Sequence, residues 1–198
     1  MCKSNRSGQA KVFTAEQLEL FLAQLNEKYA LLAEVLYYSA GRVGEISQLR
    51  VRNINIAEEL IVIEKSLTKT KVSRTVPMHP RVISDLKKWI AQHNLDKDDF
   101  IFFTQSRNMP HLKKGEKSVG TAMIDRAFRT AFDFAGMNGF STHSFRRSRL
   151  THLLKMGWHL REIMDISDHK TLASLQKYLD SDRDETHSKY RDLMRKEN

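Results

Sequence analysis

A histidine and an arginine stand three residues apart in the segment STHSFRRSR, which runs from 141 to 149. If this segment begins a helix, His143 and Arg146 share one face. An imidazole and a guanidinium at a helix N-terminus would bind a phosphate, because free N–H groups and the positive end of the dipole also favour an anion there. Taken alone, the segment is more typical of a capped helix with solvated basic side chains. A phosphate site therefore needs support from elsewhere in the chain.

Three other segments carry residue types that suit the same chemistry. In GRVGEIS, Arg42 opens a predicted short helix and Glu45 follows one turn later. In KTKVSRTVP, Lys69 lies in the turn of a predicted hairpin. His169 precedes Tyr178 by nine residues. Together these segments could supply positive charge and a nucleophile for a phosphodiester reaction.

Each of these residues also has a simpler interpretation. Arg42 could pair with Glu45 on a helix surface, which is worth only roughly 0.3–0.5 kcal/mol. Tyr178 could be an amphipathic residue near a helix end. His169 could cap a helix that begins near Thr171. The other histidines show no metal-ligand spacing, so we predict neither a metal site nor a cofactor.

The hydrophobic periodicity predicts a mostly α-helical domain with a small antiparallel β-sheet, which is an α+β fold. Thr14 and Gln17 form a capping-box pattern at the start of the first helix. Strands are predicted over 60–63 and 72–76, and Pro77 ends the second. Further helices are predicted over 28–39, 43–49, 80–92, 119–135, 144–156, 160–166, 171–178 and 184–195.

Composition limits the class of partner. The 198 residues include 33 Lys plus Arg against 24 Asp plus Glu, for a net charge of +9. A hydrophobic fraction of 40% separates the chain from disordered basic tails, so a folded domain with a polyanion partner, most often nucleic acid, is indicated. One cysteine excludes an intrachain disulfide framework. Without a long apolar run or a signal-peptide pattern, we expect no membrane association and a cytoplasmic location, on the nucleoid when bound to DNA.

In this order, the four segments resemble the catalytic domain of the tyrosine recombinases, the phage-integrase family. That family uses an arginine in an Arg-x-x-Glu helix, a hairpin lysine, a His-x-x-Arg pair, a later His or Trp, and a tyrosine nine residues beyond. The matching positions are Arg42, Lys69, His143, Arg146, His169 and Tyr178. Lys71 lies on the same turn as Lys69, but Lys69 has the family's eight-residue distance to Pro77.

The resemblance implies that Tyr178 attacks a DNA phosphodiester and forms a covalent 3′-phosphotyrosyl link. Arg42 and Arg146 would hold the nonbridging oxygens as planar forks that keep their charge. His169 would donate a hydrogen bond to a nonbridging oxygen, and Lys69 would protonate the departing 5′ oxygen.

The resemblance also implies supporting roles. His143 would assist proton transfer from the tyrosine or donate to the phosphate, and Glu45 would orient an arginine or His143. The DNA backbone is expected to contact Lys71, Arg74, Lys113, Lys114, Lys117 and Arg147. The implied partners are double-stranded DNA, further copies of the chain in a tetramer on DNA, and accessory proteins that bend the DNA; the chain alone could be a monomer.

The sequence departs from the family pattern at three places. Ser167 and Asp168 stand where the family usually has Leu-Gly, so an added carboxylate could hydrogen-bond His169 or weaken the attraction for phosphate. Arg147 stands where histidine is frequent. The residues SAG at 39–41 replace a Thr-Gly-hydrophobic pattern.

We expect a flexible tail over 1–12, the catalytic domain over 13–183, and a C-terminal helix or tail over 184–198. The helix would dock on a neighbouring subunit through Tyr190, Leu193 and Met194, or fold back on its own chain. No N-terminal clamp domain is expected in this chain, which fits either a short recombinase or a fragment. The alternatives are strand relaxation as in type IB topoisomerases, a catalytically weakened DNA-binding relative, and a basic protein unrelated to strand exchange.

Overall fold

Helices form most of the chain in the computed structural model, which describes residues 10–68, 72–104, 111–179 and 183–196. The predicted mostly helical fold with a small antiparallel sheet is confirmed. The helices are α1 Ala15–Leu22, α2 Glu27–Ser39, α3 Val43–Ile46, α4 Pro80–His93, α5 Thr121–Phe134, α6 Thr142–Lys155, α7 Leu160–Ser167, α8 Leu172–Gln176 and α9 Arg183–Lys196. The strands are β1 Ile54–Asn55, β2 Leu60–Ile63 and β3 Arg74–Pro77.

The sheet has the order β1-β2-β3, with both pairs antiparallel. Strand β1 was not predicted, and β3 begins two residues later than expected. Ile61 lies opposite Val76, and Ile63 lies opposite Arg74. Because side chains alternate between the two faces of a strand, these four residues share the buried face of the sheet. The sheet therefore points an arginine into the protein.

Phenylalanines form much of the main core. Phe13, Phe21, Phe132 and Phe145 are all buried, and the rings of Phe21 and Phe132 lie 4.3 Å apart. The backbone N–H of Phe13 donates to the buried hydroxyl of Ser148 over 2.7 Å. The segment before α1 is thereby tied to α6, the helix that carries Arg146.

A smaller apolar cluster lies between the end of α2 and helices α6, α7 and α8. Its buried members are Ala40, Leu150, Leu153, Ile163 and Leu175. Tyr178 and Leu179 pack against it. The helix predicted over 171–178 ends at Gln176, and the N–H of Tyr178 donates to Leu175 O in the turn that follows. The tyrosine therefore lies beyond the helix and not within it.

Helix α9 leaves Tyr190, Leu193 and Met194 exposed. Among the described residues, no helix combines the length and the apolar composition that a membrane span requires.

Candidate active site

Arg146 lies in the interior, although the sequence around it is strongly basic. It is only 1% exposed. Its Nη1 donates to Ala40 O over 2.6 Å, and its Nη2 donates to Ser167 O over 2.7 Å. The guanidinium thus links the end of α2 to the end of α7. A buried charge needs such bonds, because burial without partners is costly.

The turn between α2 and α3 places Arg42. Ala40 adopts a left-handed conformation with φ of 47° and ends α2. Gly41 has no room for a side chain, since an added Cβ would lie 2.7 Å from the side chain of Ile46. This close approach sets Arg42 at the start of α3, where its N–H donates to Glu45 Oε2.

Glu45 lies between two arginines. Its Oε1 accepts from Arg42 Nη1 over 2.6 Å, and its Oε2 accepts from Arg74 Nη2 over 2.8 Å. The carboxylate is 2% exposed, and the side chain of Arg42 is 24% exposed. The pair is therefore not the surface i,i+3 pair that the sequence left open, but part of a buried charge network.

The structure corrects the expected role of Arg74. The side chain lies on the buried face of the sheet and is bonded to Glu45 and, through Nη1, to Ile166 O over 2.8 Å. Burial lowers the pKa of Arg74 from its usual value. Because the alternation of β3 turns this residue inward, its guanidinium lies in the interior beside Glu45 and not on the surface.

His169 follows α7 and contacts Arg146. Its Nε2 lies 3.1 Å from Arg146 Nη2, and its Nδ1 lies 2.6 Å from Ser167 Oγ. Burial, followed by the positive charges of Arg146, Arg42 and Arg74, lowers the pKa of His169 to about 3. The ring is therefore neutral at neutral pH. The preceding Asp168 holds the left-handed turn that ends α7, with φ of 58°.

Tyr178 closes the cluster. Its ring centroid lies 5.0 Å from that of His169, and Arg146 Cζ lies 5.3 Å from the ring. Two side chains of α6 hold its backbone: Thr151 Oγ1 donates to Tyr178 O over 3.2 Å, and Arg147 Nη1 donates to Lys177 O over 3.1 Å. The tyrosine thus lies beside Arg146 and His169.

Arg147, which was also expected on the DNA backbone, lies in the interior. Arg147 is buried, with 7% of its surface exposed, and its guanidinium bonds the carbonyl just before Tyr178. Its position on α6 turns it toward the tyrosine segment, so it supports the site from within the protein.

The arginines of the cluster retain donors that make no hydrogen bond within the described residues. These donors are the buried Nε atoms of Arg74 and Arg146. Burial, followed by the charges of Arg42 and Arg74, lowers the pKa of Arg146 to about 10, so the side chain stays charged at neutral pH. Buried donors normally have an acceptor, and several guanidiniums in one place attract an anion.

The remaining predicted residues lie as follows. His143 is the second residue of α6 and is exposed, one turn before Arg146. Lys69 and Lys71 lie outside the described residues. The loop lysines are exposed, and Lys113 Nζ pairs with Asp96 Oδ2 over 2.5 Å. The exposed lysines are Lys113, Lys114 and Lys117.

Sequence reasoning missed the roles of Arg74 and Ser167 in the cluster, and it missed Thr151 altogether. The alternation of Arg74 with the apolar Val76 was a usable signal for the first. Ser167 contacts His169, two positions away, and Thr151 contacts Tyr178, 27 positions away. No sequence pattern indicates either contact.

A mostly helical fold that gathers Arg42, Arg146, His169 and Tyr178 defines the class of tyrosine recombinase catalytic domains. The family model described as the phage integrase family matches residues 11–185. The chain belongs to the phage integrase family.

Individual relatives agree with this assignment. A tyrosine recombinase of Pseudothermotoga lettingae is 25% identical over 158 residues, which cover 78% of this chain and 50% of that protein. The chain spans about half the length of the curated relatives it matches.

Two solved structures show the same fold. The crystal structure of XerA recombinase has a TM-score of 0.76 at 19% identity, covering 94% of this chain and 66% of that one. XerH site-specific recombinase, bound to its palindromic difH substrate in a post-cleavage complex, has a TM-score of 0.75 at 20% identity, covering 93% of this chain and 53% of that one.

Proposed function

We propose that the chain is the catalytic domain of a site-specific DNA recombinase that cuts and rejoins DNA through Tyr178. The observation that carries the proposal is the contact of one tyrosine ring with both Arg146 and His169, beside the Arg42–Glu45 pair. The relation to a recombinase solved with its DNA substrate supports DNA as the partner. The net charge of +9 supports the same partner.

The arginines stabilise the charge that develops on phosphorus. Attack on a phosphodiester passes through a five-coordinate phosphorus whose oxygens carry increased negative charge. Arg42 and Arg146 bind these oxygens, and their bonds to Glu45 and Ala40 hold them in place before the substrate arrives. Preorganised donors of this kind are the largest single contribution in many enzymes.

Tyr178 supplies the nucleophile. Its oxygen forms a bond to phosphorus while the bond from phosphorus to the 5′ oxygen breaks. A free phenol has a pKa of about 10, so the proton must leave as the bond forms. His143 takes that proton, and Lys69 gives one to the departing oxygen. The covalent link keeps the energy of the phosphodiester, so a second 5′-hydroxyl reverses the step without a cofactor.

Other parts of the chain bind the DNA backbone or further copies of the chain. Residues 13–183 form the catalytic domain, and the backbone contacts come from Lys71, Lys113, Lys114 and Lys117. Further copies of the chain assemble with it on DNA through the exposed face of α9.

A catalytically weakened DNA-binding relative is the second candidate, and Asp168 favours it. A carboxylate only 10% exposed stands beside His169, in a left-handed turn where the family usually has glycine. Its negative charge opposes a phosphate at this place.

A nicked duplex pool with a random central sequence tests the proposal. The nick lets the cleaved end diffuse away, so a covalent complex accumulates and resists SDS. The parent chain is expected to trap DNA, and Tyr178→Phe is expected to trap none while it still binds DNA. Tyr29→Phe, another half-buried tyrosine, serves as the matched control and keeps the parent's yield.

Sequencing of the trapped ends then gives the target site. Equal trapping by Tyr178→Phe would contradict the assignment of the nucleophile. Salt-dependent binding without any covalent complex would favour the weakened relative. Relaxation of plasmids that lack the sequenced site would indicate a topoisomerase.

A further inference from the structure

We propose that Ser167 is a positioning residue that fixes the Nδ1–H tautomer of His169, so that His169 donates to a phosphate only after it takes up a proton at Nε2. The second half of this inference rests on the proposed function of the site. Ser167 is fully buried at the end of α7.

The hydroxyl of Ser167 has two close neighbours. Its Oγ lies 2.6 Å from Ile163 O and 2.6 Å from His169 Nδ1. A carbonyl oxygen only accepts, so the single hydroxyl hydrogen goes to Ile163. The Oγ atom is then left as an acceptor, and Nδ1 must carry a hydrogen.

Arg146 also contacts the ring of His169. Arg146 Nη2 lies 3.1 Å from His169 Nε2. Nη2 also lies 3.4 Å from Nδ1, so the guanidinium lies against the face of the ring, where its positive charge disfavours an imidazolium. One hydrogen of Nη2 goes to the carbonyl of Ser167. Ser167 therefore holds Arg146 through its carbonyl and His169 through its hydroxyl.

This arrangement conflicts with the donor role of His169. In the neutral ring, Nε2 is an acceptor, and a phosphate oxygen is an acceptor as well. When a phosphate binds, a proton from solvent must form an Nε2–H bond, which makes an imidazolium. The imidazolium then donates from Nε2 to a phosphate oxygen.

The charged groups around the ring determine whether His169 takes up a proton at Nε2. The positive groups oppose the proton, the carboxylates favour it, and the negative phosphate favours it further. These groups are Arg42 just before α3, Arg74 on β3, Arg146 on α6, Asp168 after α7 and Tyr178 after α8, while Glu45 of α3 bonds Arg42 and Arg74. Without a phosphate, the pKa of His169 is about 3, so the ring is neutral and its single N–H hydrogen is the one on Nδ1 that faces Ser167.

Ring nitrogen NMR of the ¹⁵N-labelled chain tests the tautomer without DNA. His169→Gln identifies the signals of His169. At pH 7 we expect a protonated Nδ1 and an unprotonated Nε2 in the parent. Dimethyl phosphate, a diester anion that does not titrate near neutral pH, is expected to convert the ring to the doubly protonated form. An Nε2–H ring in the parent, or a ring that stays neutral up to the highest concentration of dimethyl phosphate, would overturn the proposal.

Substitutions distinguish a role of Ser167 in positioning the His169 ring from a role in packing alone. Ser167→Ala is expected to lose the preference for Nδ1–H, and Ser167→Thr to restore it. Ser148→Ala removes another buried hydroxyl, which bonds Phe13, and should leave the ring signals of His169 unchanged. If Ser167→Ala keeps the parent's signals, Ser167 is not the positioning residue. The parent's own spectrum decides the tautomer even where a variant does not fold.

The rate of covalent trapping supplies a second measurement. Ser167→Ala is expected to trap DNA several-fold faster than the parent, because a neutral ring with its hydrogen on Nε2 donates to the phosphate without first taking up a proton, while Ser148→Ala keeps the parent's rate. If no variant traps DNA, the proposed function fails, whereas the tautomer of His169 is still decided by the spectra.

Discussion

At the scale of single residues, the site depends on charges that are buried and paired. Glu45 is 2% exposed and bonds Arg42 and Arg74 at once. Removal of one partner from a buried ion pair leaves an uncompensated charge in the interior. The carboxylate therefore serves both the orientation of the arginines and the stability of the domain.

Glu45→Gln keeps the shape of the side chain and removes its charge. We expect a loss of roughly 3–5 kcal/mol in the free energy of unfolding, because two guanidiniums lose their buried counter-charge. Glu64→Gln is the control, since Glu64 also pairs with an arginine, Arg52, but both side chains are more than a third exposed. That control should lose only about 0–1 kcal/mol. Urea unfolding measures both, and equal losses would show that the burial of Glu45 has no energetic effect.

At the scale of elements, the short helix α8 carries the tyrosine segment into place. Leu175 is its buried residue, and it belongs to the same apolar cluster as Ile163 of α7. A five-residue helix is not stable alone, so its position depends on this packing and on the bonds from Thr151 and Arg147.

Leu175→Ala should loosen this segment. The lost burial and the cavity are expected to cost roughly 2–5 kcal/mol, which favours local opening around Tyr178. Leu172→Ala lies on the same helix at a site 43% exposed and should change stability by less than about 0.5 kcal/mol. Hydrogen exchange of the Tyr178 amide, which donates to Leu175 O, measures the opening. Unchanged exchange in Leu175→Ala would place the anchoring of the segment elsewhere.

At the scale of the whole molecule, an excess of positive charge remains on the surface after the interior pairs are formed. Lys113 and Lys114 lie side by side in an exposed loop, but Lys113 pairs with Asp96. Within the described chain, no ion pair involves Lys114. The two lysines thus differ in their surroundings and carry the same charge.

The two lysines are compared through the affinity of variants at each position for a DNA duplex of unrelated sequence, measured at several salt concentrations. If this loop contacts the DNA backbone, Lys114→Gln should reduce the slope of log K against log salt by about one. Lys113→Gln should reduce it by less, because its ammonium is already partly neutralised by Asp96. Each variant loses one positive charge, so equal slopes for the two variants and the parent would exclude the loop from the interface.

The sequence by itself determined the fold class, most helices and the order of the site residues, because these depend on local patterns. Helical period, capping residues and spacings such as that of His143 and Arg146 act within a few positions. The end of α8 before Tyr178 and the existence of β1 were not predicted, since short elements depend on what packs against them.

Only the tertiary structure decided which basic residues face inward. Arg74 and Arg147 were expected on DNA and lie in the interior, and Arg146 bonds a carbonyl 106 positions away. The neutral state of His169 likewise follows from its burial and from the charges of Arg146, Arg42 and Arg74, which are distant from it in sequence. Burial and electrostatics depend on distances in space, and residue types along the chain do not determine them.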